Sequence, residues 1–128
     1  MARVLIVDDE PALIALERFV LEHAGHEVFS AANGAEALAA LGVDPENPDA
    51  TLPDVILLDV MMPVLDGLAT AEALRDAPRV GAVPILVVTA KGDIRALFEA
   101  MPQVAGFFQK PFAPKDLREA VARAASAK

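Results

Sequence analysis

Short apolar runs alternate along the chain with stretches in which apolar residues recur every three or four positions. Val4-Leu5-Ile6-Val7, Val55-Ile56-Leu57-Leu58, Ile85-Leu86-Val87-Val88 and Phe107-Phe108 are β-branched, aliphatic or aromatic and carry no charge. Runs of this kind read as strands of a parallel sheet buried on both faces. Each stops at polar residues: Asp8-Asp9, Asp59, Thr89 and Gln109-Lys110. Glu27 to Ala31 reads as a further short strand. Pro11 to about His23 carries Leu13, Leu16, Phe19 and Val20 at helical spacing, with Asp9 or Glu10 placed to cap its start and Gly25 to end it. Asn33-Gly34 reads as a turn before an Ala-rich helix to about Leu41. Asp44-Pro45-Glu46-Asn47-Pro48-Asp49 and Pro53 forbid regular structure, so a long connection is expected before the next strand. Met61 to Gly67 is expected as a loop, and Asp66 as the cap of a helix from about Leu68 to Arg75. Ile94 to Met101 predicts a short helix stopped near Pro102, Gly106 to Gln109 the fifth strand, and Pro114 to about Ala124 the last helix. Five strands alternating with five helices define a single doubly wound α/β domain with right-handed crossovers.

Composition narrows this picture. The 128 residues are the size of one domain, and 55 % hydrophobic against 23 % charged residues favours a packed core over disorder. One domain over 1–128 is expected, with no output domain after it. The apolar runs fall far short of the roughly 18 residues of a membrane span, and Asp8-Asp9 interrupts any signal-peptide core. A cytoplasmic protein with no membrane contact is therefore expected. With no cysteine, disulfides and thiolate chemistry are excluded. A net charge of -8 disfavours direct binding to nucleic acid, whose affinity comes mainly from Lys and Arg on phosphates.

In open α/β sheets the ligand crevice lies outside the carboxyl ends of the strands. If the run-ending residues sit on neighbouring strands, Asp8, Asp9, Asp59, Thr89 and Lys110 converge there. Three carboxylates crowded together repel by about 3 kcal/mol per pair at ~5 Å with an effective dielectric of ~20. A cation among them relieves this, and Mg²⁺ suits hard oxygen ligands. Lys110 and the Thr89 hydroxyl complement an incoming phosphoryl group. Taken singly, Asp9 and Thr89 read as helix caps and Lys110 as a surface lysine; the conjunction favours chemistry. His23 and His26 are expected to be exposed at a helix end.

These motifs resemble the receiver domains of bacterial two-component response regulators. The matching residues are Val4 to Asp9 with Glu10-Pro11, Leu57 to Gly67, Val88-Thr89-Ala90 and Lys110-Pro111-Phe112, in the family's order and spacing. The resemblance implies a flavodoxin-like fold with strand order 2-1-3-4-5 and a chemotaxis-regulator-like single domain. It implies Asp59 as phosphoacceptor, with Asp9, Asp59 and the backbone carbonyl of Met61 binding Mg²⁺ directly and Asp8 acting through water. Lys110 would pair with Asp59 or the phosphoryl oxygens, and Thr89 would move toward them. Phe107 stands at the family's aromatic switch position, where it also reads as a core aromatic. The partners implied are a sensor histidine kinase or phosphotransfer protein and a downstream protein, with the chain a monomer or weak dimer. Its only catalysis would be its own phosphorylation and dephosphorylation. Two alternatives stand beside this reading. One is a haloacid-dehalogenase-type phosphatase using Asp59 as nucleophile, although that family wants a second Asp where Met61 stands. The other is an interaction module that takes no phosphate.

Overall fold

A computed structural model describes residues 2–44, 46–59, 67–77, 79–89, 103–109 and 113–126. The strands are β1 (Arg3–Val7), β2 (Glu27–Ala31), β3 (Val55–Asp59), β4 (Ile85–Thr89) and β5 (Val104–Gln109), and the helices α1 (Pro11–His23), α2 (Gly34–Ala40), α3 (Gly67–Arg75) and α4 (Pro114–Ser126). The strands form one parallel sheet in the order β2-β1-β3-β4-β5. The helix expected over Ile94 to Met101 lies outside the described residues, as do Asp66 and Pro102. Among the described residues no helix is long and apolar enough to cross a membrane.

Side chains alternate between the two faces of a strand, and the apolar runs accordingly build two cores. Leu5, Val7, Ile56, Leu58, Ile85 and Val87 pack with Ala37 and Leu38 of α2 and Ala71 and Leu74 of α3. Val4, Ile6, Val55, Leu57 and Leu86 pack with Val20 and Leu21 of α1 and Leu117 and Val121 of α4. Every residue of β3 is buried. Each large side chain withdrawn from water contributes about 1.5–3 kcal/mol, so uninterrupted apolar runs are what a two-faced sheet demands.

Several local features refine or differ from the expectations. Asn33 is the N-cap of α2 rather than part of a turn: its Oδ1 accepts from the Glu36 amide at 2.9 Å, while Glu36 Oε1 accepts from the Ala32 amide at 2.9 Å. The pairing is a variant of the capping box in which the glutamate takes the amide one residue before the N-cap. β5 starts two residues before Gly106, because a register shift between Ile85 and Leu86 absorbs an extra residue and lets the strand run on. The glycine marks close approach to the Leu86 side chain, not a strand end. Glu10 occupies the N-cap of α1 without a capping side-chain bond; Pro11 in the first turn, which lacks an amide needing a partner, starts the helix instead. The connection between α2 and β3 is long and irregular, as its prolines predict, yet its described residues are tied in place. Gly42 takes a φ of +73°, the Asn47 amide donates to Gly42 O at 2.9 Å, and the Arg79 guanidinium donates to Asn47 O at 3.0 Å and Ala50 O at 2.9 Å.

The amino ends of the central strands are tied down by hydrogen bonds. Asp54 Oδ2 accepts from the Arg3 amide at 2.8 Å, and the Asp54 amide donates to Arg3 O at 2.7 Å. His26 is half-buried rather than exposed, since its Nδ1 accepts from the Ala2 amide at 3.0 Å. Burial, and secondarily the positive charge of the N-terminus, hold its imidazole below the ordinary histidine range. The unfolded chain therefore takes up this proton near pH ~6.5, before the folded one does. The stability that neutral His26 contributes is complete above that pH and is lost as pH falls below it toward the folded pKa. We predict an NMR titration midpoint for His26 below ~6.5. A weaker loss of stability between about pH 7 and 5 is expected in His26→Asn, whose side-chain oxygen can keep the bond to Ala2. A midpoint at or above the ordinary value would contradict the assigned environment.

Candidate functional site

The site is built where β1 and β3 end. Their register runs from Val4 opposite Val55 to Val7 opposite Leu58, so Asp8 and Asp59 each lie one residue past the same pair, on adjoining strands. The Asp8 amide donates to Ala31 O at 3.1 Å, which holds the chain beside β2 for one further residue. Asp8 Oδ1 then accepts from the Glu10 amide at 2.9 Å and turns the chain into α1. Asp8 is 2 % exposed and Asp59 3 %. Burial this deep makes a carboxylate expensive unless charge or hydrogen bonds compensate, and it marks both as more than surface acids. Asp9 and Glu10 are exposed at the rim.

One carboxylate oxygen from each of Asp8, Asp9 and Glu10 lies within 4.8 Å of the other two. Such crowding is unfavourable by about 3 kcal/mol per pair at ~5 Å, and a set of hard, anionic oxygens fits a divalent cation such as Mg²⁺. Glu10 is the member that sequence reasoning placed only as a helix cap. The signal was the unbroken acidic run Asp8-Asp9-Glu10 ahead of Pro11: Pro11 starts the helix, and the Glu10 side chain makes no capping bond.

The neighbouring strands complete the edge. Asp59 pairs with Val88 of β4, so Thr89, the last residue of that strand, lies one position further out, and its backbone pairs with Gln109 at the end of β5. Phe107 lies opposite Val87, half-buried against the core that contains Ile85 and Val87. Met61 and Lys110 lie outside the described residues. The topology thus brings Asp8, Asp9, Asp59 and Thr89 to the carboxyl end of adjoining strands.

The chain matches the response regulator receiver domain family over residues 4–122 and belongs to it. It is thus a signalling domain of the two-component response regulator class. Among curated relatives it is 36% identical to the DNA-binding dual master transcriptional regulator RpaA of Synechocystis over 124 residues, which cover 96% of this chain and 47% of that one. The chain spans about half the length of the curated relatives it matches first. Among solved structures, the chemotaxis protein CheY4 of Vibrio cholerae superposes with a TM-score of 0.82 at 33% identity, covering 97% of this chain and 98% of that chain. The response regulator TrrA of Thermotoga maritima, solved in complex with Mg²⁺-BeF, gives a TM-score of 0.79 at 29% identity, covering 97% and 99%.

Proposed function

We propose that the chain is a phosphorylation switch in which Asp59 takes a phosphoryl group from a phosphohistidine of a sensor kinase or phosphotransfer protein. The observation that carries this reading is the buried Asp59 carboxyl beside the Asp8-Asp9-Glu10 group on the adjoining strand. A carboxylate oxygen of Asp59 attacks phosphorus, an O–P bond forms and the N–P bond breaks, and the electron pair returns to the imidazole nitrogen. Positioning and charge neutralisation are most of what such a transfer requires. Asp9, Asp59 and the Met61 carbonyl would hold Mg²⁺, with Asp8 acting through water. When bound, the ion supplies positive charge against the carboxylates and the phosphoryl oxygens. The identified relative TrrA, with its Mg²⁺-BeF, supports this cofactor.

Thr89 and Lys110 read the product in this account. The hydroxyl donates to a phosphoryl oxygen and the ammonium pairs with another, and both interactions favour one of two conformations of the sheet edge. In this reading Phe107, half-buried against the core, follows that change by rotating its ring. The likeness to the CheY4 and TrrA chains supports a receiver that acts on a downstream protein. Its charge of -8 argues against direct contact with nucleic acid.

The phosphodonor's docking place is α1. That helix leaves the acidic group directly, and it exposes Leu16 at 51% and Phe19 at 61%, with the Phe19 ring 4.6 Å from that of His23. A partner helix covering this stripe brings its phosphohistidine toward the crevice.

Two measurements test the reading. Incubation with Mg²⁺ and acetyl phosphate should give one phosphate adduct by intact mass, absent without the metal and absent in Asp59→Asn. Continuous release of phosphate from many substrates would favour a phosphatase, and no adduct from any donor would favour a plain interaction module. Separately, Phe19→Ala should slow transfer from a phosphorylated histidine-phosphotransfer domain about tenfold, the equivalent of ~1.4 kcal/mol of lost apolar contact. Phosphorylation by acetyl phosphate should be unchanged. Equal slowing with both donors would place Phe19 in the fold rather than the interface.

A further inference from the structure

A second concavity lies away from the strand-end carboxylates. Residues 41–54 precede Val55 at the amino end of β3, and between them and the C-terminal end of α3 is a cavity of about 350 Å³. Its walls are Leu41, Val43, Pro48, Ala73, Ala77 and Val80. The volume falls within the roughly 300–1,000 Å³ of small-molecule sites, which are mostly apolar with a few polar groups that fix orientation.

The loop wall is held in shape before any ligand arrives. Gly42 takes a φ of +73°, where an added Cβ would overlap Asn47 O, and Val43 bridges to Glu46. Asn47 Oδ1 accepts from the Asp49 amide at 3.0 Å, and Arg79 binds the carbonyls of Asn47 and Ala50. A wall held this way loses little freedom on binding, which favours affinity.

The rim has a sign. It carries Glu46, Asp76 and Arg79. Arg79 keeps its positive charge while it donates to the two neutral loop carbonyls, and Asp76 Oδ1 accepts from Arg75 Nε at 3.1 Å, so these two arginines offset two of the nearby acids. Glu46 has no ion-pair partner among the described residues, and Asp44, Asp49 and Glu72 add negative charge on the same two elements. Apolar walls under an acidic lip complement a ligand with an apolar body and one positive charge.

We propose that this cavity binds a small organic cation: a ring-sized apolar body against Val43, Ala77 and Val80, with an ammonium facing Glu46. The site is independent of the phosphoryl chemistry, since it lies at the opposite end of β3 from Asp59.

The test titrates 2-phenylethylamine into the full chain and follows backbone and methyl NMR signals, with 2-phenylethanol and phenylacetate as matched neutral and anionic probes. Saturable shifts are expected at Val43, Ala73, Ala77 and Val80. The amine should bind about fivefold tighter than the alcohol, the upper range of an exposed ion pair, and phenylacetate more weakly than either. Glu46→Gln should bring the amine to the level of the alcohol and leave the alcohol unchanged, while Asp59→Asn should alter neither. The proposal is overturned if the amine produces no saturable shift at these residues. It is equally overturned if amine and alcohol bind alike in the natural chain, or if Glu46→Gln leaves the amine's advantage intact.

Discussion

The parallel pairing of β1 with β3 is the constraint on which the rest of the structure depends. Two buried strands running the same way must end at the same edge, so whatever follows Val7 and whatever follows Leu58 come to lie side by side. Here those residues are Asp8 and Asp59, both buried. Carboxylates resist such a place. They are held there because the residues before them, Val4 to Val7 and Val55 to Leu58, are withdrawn from water on both faces and leave the strands no cheaper register. A slip of one residue would turn every apolar side chain to the opposite core and pull one aspartate into the sheet.

The crossovers decide which edge is open. From β1 the chain goes through α1 to β2 on one side, and then through α2 to β3 on the other, so the order reverses beside β1. A crevice forms at such a switch point. α1 and α4 close one face and α2 and α3 the other. The amino ends are tied by bonds such as Asp54 to Arg3 and the Ile85 amide to Gln103 O at 2.7 Å. One end of the sheet is therefore anchored while the other presents carboxylates.

The strands were legible because burial on both faces leaves a one-dimensional trace: an apolar run with a polar stop. Their order was not a consequence of that trace, since nothing in Val4 to Val7 names its neighbours; it came with the family resemblance carried by the Asp8-Asp9, Asp59, Thr89 and Lys110 motifs. What escaped were features set by tertiary contact. Asn33 is the local exception: its bond to the Glu36 amide, three residues on, forms only when the chain coils into α2, and Asn-Gly is also a turn pair. The order in residues 41–54 depends on Arg79, some thirty positions away. His26 is half-buried because the amino terminus folds over it. Glu10 was visible as an acid, and its approach to Asp8 and Asp9 followed only from the turn into α1.

Reductive trapping of the acyl phosphate tests the central claim most directly. After reaction with acetyl phosphate and Mg²⁺, borohydride converts a phosphoaspartyl side chain to homoserine, and peptide sequencing by mass spectrometry locates it. Homoserine at position 59 alone is the predicted result. Homoserine at Asp8 or Asp9, or phosphate recovered on His23 or His26 instead, would contradict the assignment of Asp59 as the acceptor.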